Sequence, residues 1–233
     1  MCDREFRKLL SPELESFDSN SYVLRASVDG FLHRPGQYVA LSVSGIPERF
    51  FSVLSCTKSE PDSKYEVLEL LISFKDVSSP SYQIIQETLS GNEIFISKPL
   101  GHAYWRDSGY GNVLIACDSG YSYVSGIIGH IRNFYSEQPT CLFLIKDPDS
   151  DFQALMKKSG ISPDFPDMGF SIMNSHFHRR DGHFIQTLLG KISQDHFEKS
   201  NFYVGSGRKF FHELKDALIS AGVAEERIIS DNH

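Results

Sequence analysis

Between Tyr38 and Leu54 apolar and polar residues alternate with the two-residue period of strands that bury one face. Val39, Leu41 and Val43 share one side of the first strand, which Pro35-Gly36 opens. Gly45-Ile46-Pro47 is expected to turn the chain, with a second strand starting at Arg49-Phe50-Phe51-Ser52. A strand is also expected over Ser21–Val28, where Tyr22, Leu24 and Ala26 alternate with Val23, Arg25 and Ser27. Another covers Tyr65–Ser73, with Val67, Glu69 and Leu71 on one side. Pro80–Leu89 instead sets Tyr82, Ile85 and Leu89 at helical spacing, and Gly91 marks its stop. A short strand over Glu93–Ser97 then runs into Pro99-Leu100-Gly101. Many short strands, frequent turn residues and a single helix predict a small antiparallel β-barrel.

The rhythm changes after residue 106. Val113–Ala116 and Cys141–Ile145 are continuous apolar runs of the kind that form parallel strands buried on both faces. Phe170–Met173, Asn201–Val204 and Arg227–Ile229 continue the series. Helices are expected at Tyr121–Phe134, near Phe152–Lys158, from about His183, and at Phe210–Ser220. Strict alternation of strand and helix predicts an α/β parallel-sheet domain. The expected domains are residues 1–106 and 107–233, with Tyr104 and Trp105 packing between them.

Composition narrows the function classes. With 233 residues and a net charge of -7, the chain lacks the basic face that phosphate backbones of nucleic acids need. No apolar run approaches the length of a membrane span, and the charged start MCDREFRKLL lacks a signal-peptide core. Cys2, Cys56, Cys117 and Cys141 show no metal or iron–sulfur spacing. A reduced, cytoplasmic protein is the expectation. His176-Phe177-His178 with His183 brings no acid or cysteine at matching spacing and reads as loop lining, so no metal site is expected. The G-x-S-x-G elbow of serine hydrolases does not occur.

The candidate chemistry starts at Arg49-Phe50-Phe51-Ser52. A guanidinium fork, two aromatic rings and a hydroxyl suit a flat, phosphate-bearing heteroaromatic ligand such as a flavin. The same residues equally describe a barrel strand whose arginine meets a surface carboxylate. Two further stretches, Cys117-Asp118-Ser119-Gly120-Tyr121 and Gly205-Ser206-Gly207-Arg208, each join an expected parallel strand to a helix. Ligands of such sheets gather there, against helix N-termini, although similar turns also occur without any cofactor.

Gly36-Gln37-Tyr38 and Arg49-Phe50-Phe51-Ser52 resemble the first-domain signature of the ferredoxin–NADP reductase superfamily. The likeness is closest to bacterial NAD(P)H:flavin reductases of the type that supplies reduced flavin to luciferase. Pro99-Leu100-Gly101, the loop at residues 117–121, Arg180-Asp181-Gly182 and Asn201–Gly207 are colinear with further parts of that pattern. The resemblance implies a flavin-binding barrel and an NAD(P)-binding α/β domain, with hydride passing from NADH or NADPH to FMN, FAD or riboflavin. It implies that Arg49 lies near the flavin's ribityl or phosphate end, with Phe50 and Phe51 beside the ring. It makes Ser52 the catalytic residue, bonded close to the redox-active nitrogen. Cys117, Asp118, Ser119, Gly120, Tyr121, Gly205 and Ser206 would hold the nicotinamide nucleotide. No segment marks a tight adenine clamp, which leaves both a diffusible and a bound flavin open, and with a diffusible flavin a downstream acceptor of reduced flavin would be a partner.

Three departures stand out. Phe50 replaces a proline of the pattern. Cys117 and Asp118 stand where the family carries two glycines, which puts a carboxylate beside the expected pyrophosphate unless Arg208 neutralises it or Asp118 caps the following helix. His233 occupies the place of a C-terminal aromatic residue. Lys146-Asp147, after the second parallel strand, leaves the choice of NADH or NADPH open. A flavoprotein that passes electrons to a separate protein, and a non-catalytic descendant of the fold, are the rival readings.

Overall fold

The computed structural model describes residues 5–58, 64–146, 168–174 and 182–231. His233, Asp147, His176, His178 and the helix expected near Phe152–Lys158 lie outside them. The chain divides into two compact units, Met1–His102 and Ala103–His233.

The first unit is one curled antiparallel sheet of seven strands: β1 (Phe6–Lys8), β2 (Leu10–Asp18), β3 (Ser21–Asp29), β4 (Tyr38–Val43), β5 (Ile46–Lys58), β6 (Tyr65–Ser73) and β7 (Phe95–Ser97). Their spatial order is β1-β7-β4-β5-β6-β3-β2. The two ends of that order, β1 and β2, are separated in sequence by Leu9 alone. The chain thus joins one edge of the sheet to the other, and a barrel results with few free edge groups. Ser11 takes φ 47 where the register shifts between Leu10 and Glu13, a bulge that lets β2 bend away.

The interior is aliphatic. Leu24, Val28, Val39, Leu41, Leu68, Leu70, Ile72 and Ile96 are wholly buried. Each such side chain contributes about 1.5–3 kcal/mol of transfer free energy. Helix α1 (Pro80–Leu89) closes one opening with Ile84 and Ile85. Ser79 caps it through the Tyr82 N–H, Pro80 starts its first turn, and Gly91 at φ 76 ends it. The charged face of β6 looks outward, where Glu69 accepts a 2.7 Å hydrogen bond from Ser55.

The second unit holds a five-stranded parallel sheet: β8 (Gly111–Cys117), β9 (Thr140–Lys146), β10 (Met168–Asn174), β11 (Ser200–Gly205) and β12 (Ile228–Ile229), in the order β10-β9-β8-β11-β12. Central strands β8 and β11 are buried at every position, which matches their apolar runs Val113–Ala116 and Phe202–Val204. Helix α2 (Tyr121–Phe134) packs on β8 and β11. Helices α3 (Gly182–Leu189), α4 (Gln194–Lys199) and α5 (Arg208–Ser220) join a separate core with Val113, Ile115, Phe143, Phe202 and Val204.

Residues 103–108 are bound to this unit rather than suspended as a linker. Tyr123 donates to the Ala103 carbonyl at 2.7 Å, and the Arg106 N–H donates to Tyr203 Oη at 3.0 Å. Trp105 is held within this unit. Its indole N–H donates to Asn112 Oδ1 at 3.1 Å, and its ring lies 4.4 Å from that of Tyr135 and 4.9 Å from that of His130. Burial pushes the Tyr123 phenol well above its ordinary range, so it serves as a fixed hydrogen-bond donor at neutral pH.

Candidate functional site

Two places carry the candidate residues, one in each unit.

In the first unit the surface is set by a bulge. The β4–β5 turn is Ser44-Gly45, with Gly45 at φ 78 and Val43 paired to Ile46. Pro47 therefore lies inside β5 rather than in the turn. Continued without interruption, that register would place Phe50 opposite Val39, facing the core. Instead Pro47 and Glu48 fall in a register shift, and the pairing resumes as Leu41 with Arg49, Ala40 with Phe50, Val39 with Phe51 and Tyr38 with Ser52. One extra residue on β5 reverses which side chains point inward. A proline suits the shift because it supplies no N–H to a ladder.

The bulge separates two of the expected ligand contacts. Phe51 is 9% exposed and packs in the barrel interior with Val39 and Val53. Its ring is not on the outer face. Phe50 is 51% exposed there, edge-on to Tyr38 at 5.8 Å and 84°, and Ser52 stands opposite Tyr38 on the same face. Arg49 is exposed beside the bulge. The outer surface is thus Tyr38, Phe50 and Ser52, while Arg49, paired with Leu41, leaves the other side of β5 and is exposed at the bulge. Tyr38 entered the sequence reading only within the Gly36-Gln37-Tyr38 signature and not as a site residue, and its position one residue out of phase with Val39 is the signal that places it on this face.

Two glycine turns brace this face. Arg34-Pro35-Gly36-Gln37 forms a turn with Gly36 at φ 97 and the Gln37 N–H bonded to the Arg34 carbonyl at 3.0 Å. The Gln37 side chain accepts from the Arg34 N–H at 2.8 Å and donates to the Gly101 carbonyl at 3.2 Å. Tyr38 and Leu100 exchange backbone bonds of 3.1 and 2.8 Å. Gly101, at φ 91, completes the Pro99-Leu100-Gly101 turn. Gln37 thereby ties both turns to the strand that carries Tyr38.

In the second unit the strand order places β8 and β11 side by side, with the following helices on opposite faces of the sheet. That is the topological switch point, outside whose carboxyl ends open α/β sheets bind ligands. The two candidate loops meet there. A Cβ on Gly120 would fall 2.0 Å from the Gly205 carbonyl oxygen, and one on Gly205 would fall 2.5 Å from that of Gly120. Tyr123 fills the space next to Gly205, within 3.0 Å of the same hypothetical atom. Glycine is required at both positions because backbone touches backbone.

Asp118 opens the first loop at φ 48, a left-handed conformation normally taken by glycine. The sequence departure thus keeps a glycine-type backbone while adding a carboxylate, half-buried at the carboxyl end of β8. Asp118–Gly120 forms a 3-10 turn, and α2 starts at Tyr121 with no side-chain hydrogen bond from its N-cap, Gly120. Ser119 is exposed and Tyr121 is fully buried. Ser122 donates to the Ser119 carbonyl at 2.9 Å, which stiffens the turn. Ser206 is half-buried, and Arg208 is exposed at the start of α5.

The residues fit the groups they would hold unequally. The outer barrel face offers an exposed ring and a hydroxyl, with the exposed Arg49 at the adjoining bulge, a donor set suited to a flavin. The switch-point loops offer close glycine backbones to a nucleotide, but Asp118 sets a negative charge among them. Among the described residues no group of three or more His, Cys, Asp or Glu side chains could hold a metal ion, and no helix is long and apolar enough to cross a membrane.

No family model and no curated protein sequence matches the chain. Solved structures do. The ferredoxin reductase of carbazole 1,9a-dioxygenase superposes with a TM-score of 0.74 at 15% identity, over 97% of this chain and 68% of that one. An Amycolatopsis cytochrome P450 reductase gives 0.69 at 17% identity, over 98% and 72%. The FAD/NAD-binding domain of a Vibrio cholerae nitric oxide dioxygenase gives 0.69 at 14% identity, over 96% of both chains. At these identities the likeness is one of fold.

Proposed function

We propose that the chain is an NAD(P)H-dependent flavin oxidoreductase, with a flavin on the outer barrel face and the nicotinamide nucleotide at the switch point of the parallel sheet. The observation that carries this reading is the bulge at Pro47-Glu48, which turns Phe50 and Ser52 outward beside Tyr38. An exposed aromatic ring and a hydroxyl on one face, with a guanidinium at the adjoining bulge, suit a flat ring with an anionic tail. The neighbours' printed names, two reductases and an FAD/NAD-binding domain, support the same reading.

A bound flavin would supply the atom that accepts hydride. The chain's own residues bind and orient. Phe50 and Tyr38 offer an apolar wall, and Arg49 holds a phosphate or ribityl hydroxyl by charge-assisted hydrogen bonds. Ser52 Oγ donates to the ring at the place where electron density rises on reduction. Gly120 and Gly205 keep both loops low, so that backbone N–H groups reach a pyrophosphate. Acceleration comes chiefly from holding the two reactants in register.

The test is oxidation of NADH and NADPH by the purified chain with FMN, FAD or riboflavin, each alone and with added ferredoxin or cytochrome acceptors. Turnover that needs only added flavin supports the flavin reductase. Turnover that requires a protein acceptor and retained flavin supports an electron-transfer reductase, as the neighbours' names suggest. The absence of nucleotide oxidation under every condition would refute both and leave the non-catalytic reading that Asp118 favours.

A further inference from the structure

A second group of reactive side chains stands at the other, amino-terminal edge of the parallel sheet. Cys141 is the second residue of β9 and Ser200 the first of β11, while His196 comes from α4. The Cys141 Sγ lies 2.9 Å from His196 Nε2, and His196 Nδ1 lies 2.8 Å from Ser200 Oγ. A hydroxyl oxygen is a far better acceptor than sulfur, so the ring proton belongs on Nδ1, donated to Ser200, which leaves Nε2 to accept from the thiol. This is a thiol with a base in hydrogen-bond reach and the base oriented by a third group.

The sheet makes room for the chain of three. A Cβ on Gly169 of β10 would fall 2.7 Å from the Cys141 sulfur, and one on Gly111 of β8 would fall 2.9 Å from Ser200 Oγ. Neither glycine has the positive φ that would otherwise explain it. Two strands thus carry glycine beside these side chains, at the usual cost in strand stability. Ser200 is 1% exposed and the Arg227 guanidinium donates to its carbonyl at 2.9 Å, which fixes the orienting residue. Cys141 and His196 are partly exposed, unlike Cys117 at 2%.

We propose that Cys141, His196 and Ser200 form a thiol-modification site at which Cys141 takes up a low-molecular-weight thiol from its disulfide. His196 Nε2 accepts the Cys141 proton as Sγ attacks one sulfur of the disulfide. The disulfide bond breaks, a mixed disulfide forms on Cys141, and the departing thiolate leaves with the electron pair and takes the proton from His196. The attacking disulfide is the oxidant, and no other co-reactant is needed. Burial pushes the Cys141 thiol up and the His196 imidazole down, so the resting pair is neutral and reaction depends on proton transfer within it. Asp195, itself 3.2 Å from Lys199, is the charged group that acts on the imidazole, while the Arg227 guanidinium donates to the Phe197 and Ser200 carbonyls.

The test incubates the full chain with oxidised glutathione from mildly acidic to alkaline pH and follows the peptides containing Cys141 and Cys117 by mass spectrometry. Cys141 is expected to react at least about ten times faster than Cys117. His196→Gln is expected to slow Cys141 by roughly tenfold or more, the low end of general-base effects, and to move the onset of reaction to higher pH. Ser200→Ala keeps the base but loosens its orientation, and should give a smaller loss with the same shift in profile. Equal rates in wild type and His196→Gln, a faster rate in that variant, or modification only after denaturation would overturn the proposal, because each assigns reactivity to exposure alone.

Discussion

Replacing Asp118 probes the proposed nucleotide site through charge and backbone separately. Asp118→Asn removes the charge and keeps a residue that tolerates φ 48, while Asp118→Gly removes the charge and also relieves the backbone. A carboxylate about 5 Å from one pyrophosphate charge opposes it by about 3 kcal/mol at an effective dielectric of about 20, and by about 0.8 kcal/mol at the dielectric of water. Asp118 is half-buried, so the effect falls between those limits. Both variants should therefore lower the Kd for NADH or NADPH by between about fourfold and a few hundredfold. The gain should shrink with added salt, because a partly exposed charge is screened. Glycine alone should also stabilise the unit, by about 1 kcal/mol in urea unfolding. Titration by nucleotide fluorescence at low and high salt decides it. Equal affinities for wild type and both variants at low salt would show that the carboxylate does not face the nucleotide, and the loop would lose its assigned role.

Four further outcomes follow from the geometry. Gly120→Ala or Gly205→Ala forces a Cβ within 2.0–2.5 Å of backbone oxygen and should destabilise the second unit by about 3 kcal/mol or more in chemical denaturation; a loss under about 0.5 kcal/mol would refute the close approach. Phe50→Ala should leave the melting temperature unchanged because the ring is 51% exposed, yet weaken flavin binding by about five- to tenfold; unaltered flavin affinity would remove Phe50 from the site. Trp105→Phe strands the Asn112 acceptor and should cost about 1–3 kcal/mol, read by circular dichroism since the chain's one tryptophan is gone; a neutral change would contradict the hydrogen bond. Burial depresses the pKa of His130 and His196 below 6.5, so the unfolded chain binds protons first and stability should fall as pH drops below about 6.5. His130→Phe should flatten that slope, and an unchanged slope would assign it elsewhere.

The division into a barrel and a parallel-sheet unit was legible because the two periods are so distinct. Short unbroken runs such as Val113–Ala116, alternating with helical segments, fit strands covered on both sides, and helical spacing recovered Pro80–Leu89 with its stop at Gly91. The short helix Gln194–Lys199 was missed because six mainly polar residues carry no period. Pro47 misled for a specific reason. Gly-Ile-Pro reads as a turn from local propensity, whereas the chain turns one residue earlier and spends the proline at a bulge. Register is a property of two strands, so no pattern within β5 alone could reveal that Phe51 faces inward and Phe50 outward. The glycine pair had the same limit. Gly120 and Gly205 lie 85 positions apart, and only the strand order brings their backbones together. Asp118 was readable as a departure, but its left-handed backbone was not.

The account rests on reduction of a flavin held by this chain, and anaerobic mixing tests that directly. The protein, loaded with flavin and mixed with NADH or NADPH in the absence of oxygen, should bleach the flavin absorbance within seconds. Ser52→Ala should slow the bleaching by tenfold or more while binding flavin nearly as well, the effect expected from loss of one hydrogen bond to developing charge. Bleaching no faster than that of free flavin in buffer, or equal rates with and without the Ser52 hydroxyl, would contradict it.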